Sequence, residues 1–258
     1  MKNRIEQKLQ NGYQLETGRL IDDSFALFKK NFLTAGFGVI VLCIIMAVVY
    51  GGIFAAIFGL GDIQNTLLQF ETLAFDPKFI LGNTIVTTIL AAIVAPVTAG
   101  FIHLNYLTKF NKEYSVGTIF EFYSSKHFKD LFFAYAIIGF TTAVVSSILS
   151  FVRLEFFNFI FQGAISCFTI FTIPLIIYGE QNFTNAISKS LTLFLKQPLA
   201  IILGLIVAGI GAMLGIVAIC IGIFFTLPFV YSMYFAIFDQ AIGFGEESEI
   251  DEIGSEQI

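Results

Sequence analysis

The sequence predicts an all-α integral membrane protein of six transmembrane helices, arranged as three tandem hairpins. Three observations carry that prediction. Residues 199–238 run for 40 positions without an acidic, basic or histidine side chain. As a single helix, at about 1.5 Å per residue, the run would be roughly 60 Å long, twice a hydrocarbon core of ~30 Å, so it divides into two spans. Four further stretches, 31–61, 79–108, 131–152 and 156–179, lack acidic and basic side chains, and each suffices for one span. Finally, 12 of the 14 basic residues fall on one face of this six-span arrangement. Composition agrees, with 57% apolar and 13% charged residues, against about 45–50% and about 25% in soluble domains.

Residues 1–30 read as an N-terminal segment with a surface helix, 31–240 as the transmembrane domain and 241–258 as an acidic, disordered tail. Charges throughout residues 1–30 argue against a cleavable signal and for a retained first anchor. Lys2, Arg4, Lys8, Arg19, Lys29 and Lys30 precede the first span, Lys109, Lys112, Lys126 and Lys129 follow the second, and Lys189 and Lys196 follow the fourth. Only Lys78 and Arg153 lie on the other side, so the positive-inside rule places both termini in the cytoplasm. The net charge of −5 arises mostly in the tail and marks no nucleic-acid surface.

Within the last run, Gly204, Gly209, Gly211, Gly215 and Gly222 suit either a tight turn or close helix approach. The prolines follow a pattern. Pro77 and Pro198 open helices two and five, where a missing N–H costs little. Pro96, Pro174 and Pro228 fall inside helices two, four and six and are expected to bend them, because the ring clashes with the carbonyl four residues back. Phe171-Thr172-Ile173-Pro174 echoes Phe225-Thr226-Leu227-Pro228, and a threonine there can satisfy freed backbone groups. An amphipathic segment precedes each odd helix: residues 24–32 with Phe25, Phe28 and Phe32 on one face, residues 118–129 with Ile119, Phe122 and Tyr123, and a segment capped by Thr184 with Ile187, Leu191 and Phe194. Such segments are expected to lie in the headgroup plane.

Residues 171–196, with Pro174, Glu180 and the Ala186-Ile187-x-x-Ser190 surface helix, resemble a recurring pattern in bacterial multi-span inner-membrane proteins. These include the membrane domain attached to some glycerophosphoryl diester phosphodiesterases and related stand-alone proteins. Residues 24–32 echo its Ser-x-x-Leu part. The resemblance implies a bacterial inner-membrane architecture and no activity, since no phosphodiesterase domain is present.

Little chemistry is visible. Ionisable residues inside a membrane are expensive and mark function, and His103 is the one titratable side chain in the second span, with Asn105 and Tyr106 beside it. It reads as an interfacial hydrogen-bonding residue before a proton relay or substrate contact. Glu180 reads as a tether between span and surface helix before a polar binding site. Arg153 and Glu155 sit in the turn joining helices three and four, and Asn83, Thr84, Thr87, Thr88 and Thr98 form a partial stripe on helix two. Cys43, Cys167 and Cys220 lie in apolar runs as small hydrophobes, without metal spacing. No cofactor, metal site or catalytic constellation is expected. The first expectation is a non-enzymatic scaffold or accessory subunit, bound to membrane lipids and to a protein partner or a second copy, and not to nucleic acid. The alternative is a carrier of lipid-like molecules, with a cytoplasm-facing cavity lined by Thr98, Thr172 and Thr226 at the proline bends.

Overall fold

The computed structural model describes residues 1–58, 76–217 and 222–244. Its helices are α1 (Lys2–Asn11), α2 (Thr17–Phe58), α3 (Pro77–Lys109), α4 (Phe128–Phe151), α5 (Glu155–Phe168), α6 (Thr172–Ile177), α7 (Phe183–Lys196), α8 (Pro198–Val217), α9 (Gly222–Thr226) and α10 (Pro228–Ala241), with a 3-10 turn at Val116–Ser124. No strand occurs among the described residues. Six helical segments are long and apolar enough to cross a membrane: α2, α3, α4, α5 with α6, α8, and α9 with α10. The chain is an all-α, multi-pass membrane protein. The run 199–238 divides as expected into two spans, although the link between Val217 and Gly222, like the acidic residues 245–258, lies outside the described residues.

Two glycines of that run, Gly211 and Gly215, serve close approach, while nothing lies within 4 Å of a Cβ built on Gly209. Gly209, Gly211 and Gly215 are all helical within α8. A Cβ on Gly211 would meet the Phe229 ring at 2.6 Å, and one on Gly215 would meet the Gly222 backbone at 2.5 Å. Thr226 crosses the same interface, its Oγ1 donating to Ala212 O at 2.6 Å.

Packing does not follow the hairpins alone. The most extensive interface joins α3 to α4, and α10 lies against α2, α8 and α3. A buried polar knot ties three spans here. Asn31 Nδ2 donates to Asn105 Oδ1 (2.9 Å) and Thr108 Oγ1 (3.2 Å), and Ser232 Oγ donates to Asn105 Oδ1 (2.8 Å). With no water in the hydrocarbon, such groups must find one another.

The surface segments behave unequally. Residues 24–32 do not lie apart in the headgroup plane; they are the early turns of the 42-residue α2, which runs on through Lys30. No Gly or Pro stands between Arg19 and Ala35 to redirect the chain. The buried face there is Leu20, Ser24, Leu27, Asn31 and Ala35, while Phe25 and Phe32 stay uncovered by protein. Residues 183–196 do form a separate helix, because Gln197 leaves helical geometry and Pro198 starts α8. Its cap is Asn182, which accepts from Asn185 N at 2.9 Å, and not Thr184. Its buried face is Ala186, Ser190, Leu193 and Phe194, with Leu191 exposed. Segment 118–129 is in part the 3-10 turn, capped by Ser115 and Thr118.

That turn seats itself in a notch between two spans. Ile119 is fully buried, and only glycine fits beneath it: a Cβ on Gly100 would lie 2.6 Å from Ile119 Cα, and one on Gly38 would strike the Ile119 side chain. Tyr114 Oη donates to Lys30 O (3.1 Å) and Tyr123 Oη to Ile93 O (2.7 Å), fastening the turn to α2 and α3.

The N-terminal helix α1 also docks. Ile5 is fully buried, Tyr13 Oη donates to Leu193 O at 2.7 Å, and Lys189 pairs with Glu6. Arg4 Nη1 reaches Gly243 O at 3.5 Å, so the two ends of the described chain share one side of the bundle.

Candidate functional site

Packing density differs between the two halves of the bundle, and the difference makes a cavity. Toward the N-terminal side every residue of α6 is buried, as are nine of α10. On the opposite side α5 has no buried residue, and in α4 only Leu131 and Ala134, near its start, are buried. Between α2, α3, α4, α5 and α10 lies a cavity of about 1000 Å³, at the upper end of the range for small-molecule sites. Phe79, Ile80, Ser150, Phe151 and Glu155 stand at its outer end; Thr98, Tyr135, Ile170 and Tyr234 line its inner end. Each of those inner residues lies past the middle of its span, so the cavity extends over more than half the length of the bundle.

The walls are of two kinds. On α5 the polar residues Glu155, Gln162 and Ser166, with Thr169 just past its end, line the cavity, and with Asn158 they recur at intervals of three or four and so share one helical face. On α4, Thr142, Ser146 and Ser150 do the same. The two faces meet as a ladder: Glu155 Oε2 accepts from Ser150 Oγ (3.3 Å), Asn158 Nδ2 donates to Ser150 Oγ (3.3 Å), and Gln162 Nε2 donates to Ser146 Oγ (3.0 Å). Asn83 and Thr87 of α3 line the cavity too. Val39 and Leu42 of α2 and Leu227 and Val230 of α10 supply apolar wall.

The three threonines expected to share a cavity are separated. Thr98 lines the inner end, its Oγ1 donating to Val94 O at 3.4 Å. Thr226 is held in the α8–α9 interface described above. Thr172 is fully buried, and its Oγ1 has no hydrogen-bond partner among the described residues. A cytoplasm-facing cavity at the proline bends is therefore replaced by one on the other side, because that half is packed.

The prolines act differently from one another. Helix α3 continues through Pro96. The fourth span breaks between Phe168 and Thr172, ahead of Pro174, and the sixth breaks at Leu227, ahead of Pro228. At the first break Ser190 of α7 bridges the gap: its Oγ donates to Phe168 O (2.7 Å) and accepts from Phe171 N (3.1 Å). This gives a physical reason for a serine four residues after Ala186. Backbone groups released inside a bilayer need a partner, and the fully buried Ser190 supplies one to each strand of the break.

His103 and Glu180 lie on the N-terminal side, away from the cavity. His103 Nδ1 is 3.3 Å from Tyr178 Oη and its Nε2 3.2 Å from Glu121 Oε1. Its ring stacks on Tyr106 at 5.4 Å. Burial raises the Glu121 carboxyl above its ordinary value. Phe244 closes this aromatic group from outside, packing on Tyr106, Phe110, Tyr178, Phe235 and Phe238. Glu180 is exposed, has a left-handed backbone (φ 49°) and pairs with Lys126 at 2.7 Å and Lys2 at 3.8 Å. It tethers the end of the fourth span to the loop before α4 and to α1.

The Lys126 hydrogen bond lowers the Glu180 carboxyl below its ordinary value. Its folded pKa being the lower one, its contribution to stability is full above the unfolded value and is lost as pH falls toward the folded value. The wild type is expected to lose thermal stability faster than Glu180→Gln on acidification below about pH 4.3. Parallel melting curves of the two proteins across that range would refute this.

No group of three or more potential metal ligands occurs among the described residues. No family model, curated protein or solved structure matches this chain. Of the ladder residues only Glu155 was singled out from sequence, as part of the turn between helices three and four. Their signal was present as polar spacing on the third and fourth spans, outside a search for charges.

Proposed function

We propose that this protein is a non-enzymatic membrane carrier that binds a lipid-like molecule in the cavity between α2, α3, α4, α5 and α10. The observation that supports it is the joint presence of volume, an apolar wall and a polar ladder within one bundle. A recess of about 1000 Å³ with hydroxyls on one wall and apolar side chains on the other suits an amphiphilic ligand. The carrier reading therefore stands ahead of a scaffold or accessory subunit that works through a protein partner or a second copy. The excess of basic residues on the N-terminal side supports an orientation with both termini in the cytoplasm and α7 at the headgroups, the outer end of the cavity then facing away from the cytoplasm. The resemblance of residues 171–196 to bacterial multi-span proteins supports an inner-membrane location, with membrane lipids as first partners; nothing in its charge suits nucleic acid.

Ser147 lies on the cavity wall, so Ser147→Phe is expected to fill it and leave the fold intact. Protein purified from membranes in an amine-oxide detergent is expected to retain lipid that can be extracted and quantified, and the variant to lose most of it. Wild-type protein free of lipid, or equal lipid in both, would overturn the carrier reading.

A further inference from the structure

Resting on the carrier reading, we infer that the cavity selects an amphiphile whose head is uncharged and rich in hydroxyl groups, such as glycerol or a sugar. The hydrogen-bond inventory of the walls carries this assignment. A hydroxyl has one hydrogen to donate and two lone pairs to accept with. Thr87, Thr98, Thr142 and Thr169 each donate that hydrogen to a carbonyl four residues back in their own helix, as Ser166 does to Gln162 O. What these five side chains turn toward a ligand is therefore acceptor capacity alone. Ser150 likewise gives its hydrogen to Glu155, and Gln162 commits an N–H to Ser146.

Asn83, Ser147, Tyr135, Tyr231 and Tyr234 add side chains able to donate, so the walls suit a ligand that both donates and accepts, as a hydroxyl does. A phosphate or carboxylate brings negative charge, and among the described residues no Lys, Arg or His lines the cavity to neutralise it. An ammonium head brings donors, but the one carboxylate in the lining, Glu155, stands at the mouth. A cation carried to Tyr135 or Thr169 would leave it behind, and an unpaired charge at that depth is disfavoured. Hydroxyl groups satisfy the walls at every depth without charge. The apolar wall of Val39, Leu42, Leu227 and Val230 accepts the chain.

Three probes that share dioleoyl chains and differ in head test the assignment: dioleoylglycerol, dioleoyl phosphatidic acid and a dioleoyl trimethylammonium lipid. Binding to the purified full-length protein in amine-oxide micelles is read by native mass spectrometry. Dioleoylglycerol is expected to bind at least about tenfold more tightly than either charged probe. Thr142→Val with Thr169→Val keeps side-chain shape and removes two acceptors, and is expected to lower dioleoylglycerol affinity about tenfold. Equal or tighter binding of a charged probe overturns the head-group assignment and leaves the carrier reading standing. Failure of all three probes to bind wild-type protein overturns the carrier reading itself. Should the double variant not fold, wild-type selectivity alone decides.

Discussion

Gly100→Ala is expected to destabilise the protein by about 3 kcal/mol, the upper part of the range for overpacked interiors. The added methyl would lie 2.6 Å from Ile119 Cα and 2.5 Å from its carbonyl carbon, so backbone and not a movable side chain blocks it. To make room, the 3-10 turn must leave the notch, taking with it the fully buried Ile119 side chain. It would also strain the bonds from Tyr114 to Lys30 and from Tyr123 to Ile93. Gly163→Ala supplies the contrast, because nothing lies within 4 Å of a Cβ built there. In the interior of α5 that change is expected to be neutral or to stabilise by up to about 1 kcal/mol. Thermal unfolding of both variants in one detergent checks the pair, and melting of Gly100→Ala at the wild-type temperature would show that the notch yields.

Ser190→Ala is expected to have the next largest effect, a loss of about 2–3 kcal/mol. The serine is 0% exposed and answers two backbone groups at once, Phe168 O and Phe171 N. Alanine fits the space and leaves both groups unpaired where lipid and protein offer no substitute. Ser188→Ala, two residues away on the exposed face of α7, is expected to be within about 0.5 kcal/mol of wild type. Equal melting temperatures for the two variants would mean that the break finds other partners.

The spans were legible because lipid imposes one simple rule, a length of uncharged chain, and all six obey it. The separate helix before α8 was legible for an equally local reason, since Pro198 stops what precedes it. Residues 24–32 misled because amphipathicity says which face prefers an apolar surface and not whether the chain turns there. Without a breaker the helix ran on, and Leu20, Ser24 and Leu27 faced the core instead of the phenylalanines. The docking of α1 on α7 depends on Tyr13 meeting Leu193 across 180 positions, which no local pattern encodes. The cavity was legible only in part. The stripe of Asn83, Thr87 and Thr98 on α3 was read and lines it, but the intervals from Glu155 to Thr169, as regular as any apolar stripe, were passed over. Where the polar faces of α4 and α5 would meet α3 and leave space was a matter of packing alone.

The unequal packing of the two halves has an electrical consequence. A membrane potential of 100 mV acts on a full charge with about 2.3 kcal/mol, and its gradient is steepest through the least polarisable material. A polar recess reaching past the middle of the bundle shortens that material to the inner half, where α6 and α10 are closely packed. For the neutral-headed ligand proposed above such a field would exert no net force, so only its concentration on the two sides would set the direction of its movement.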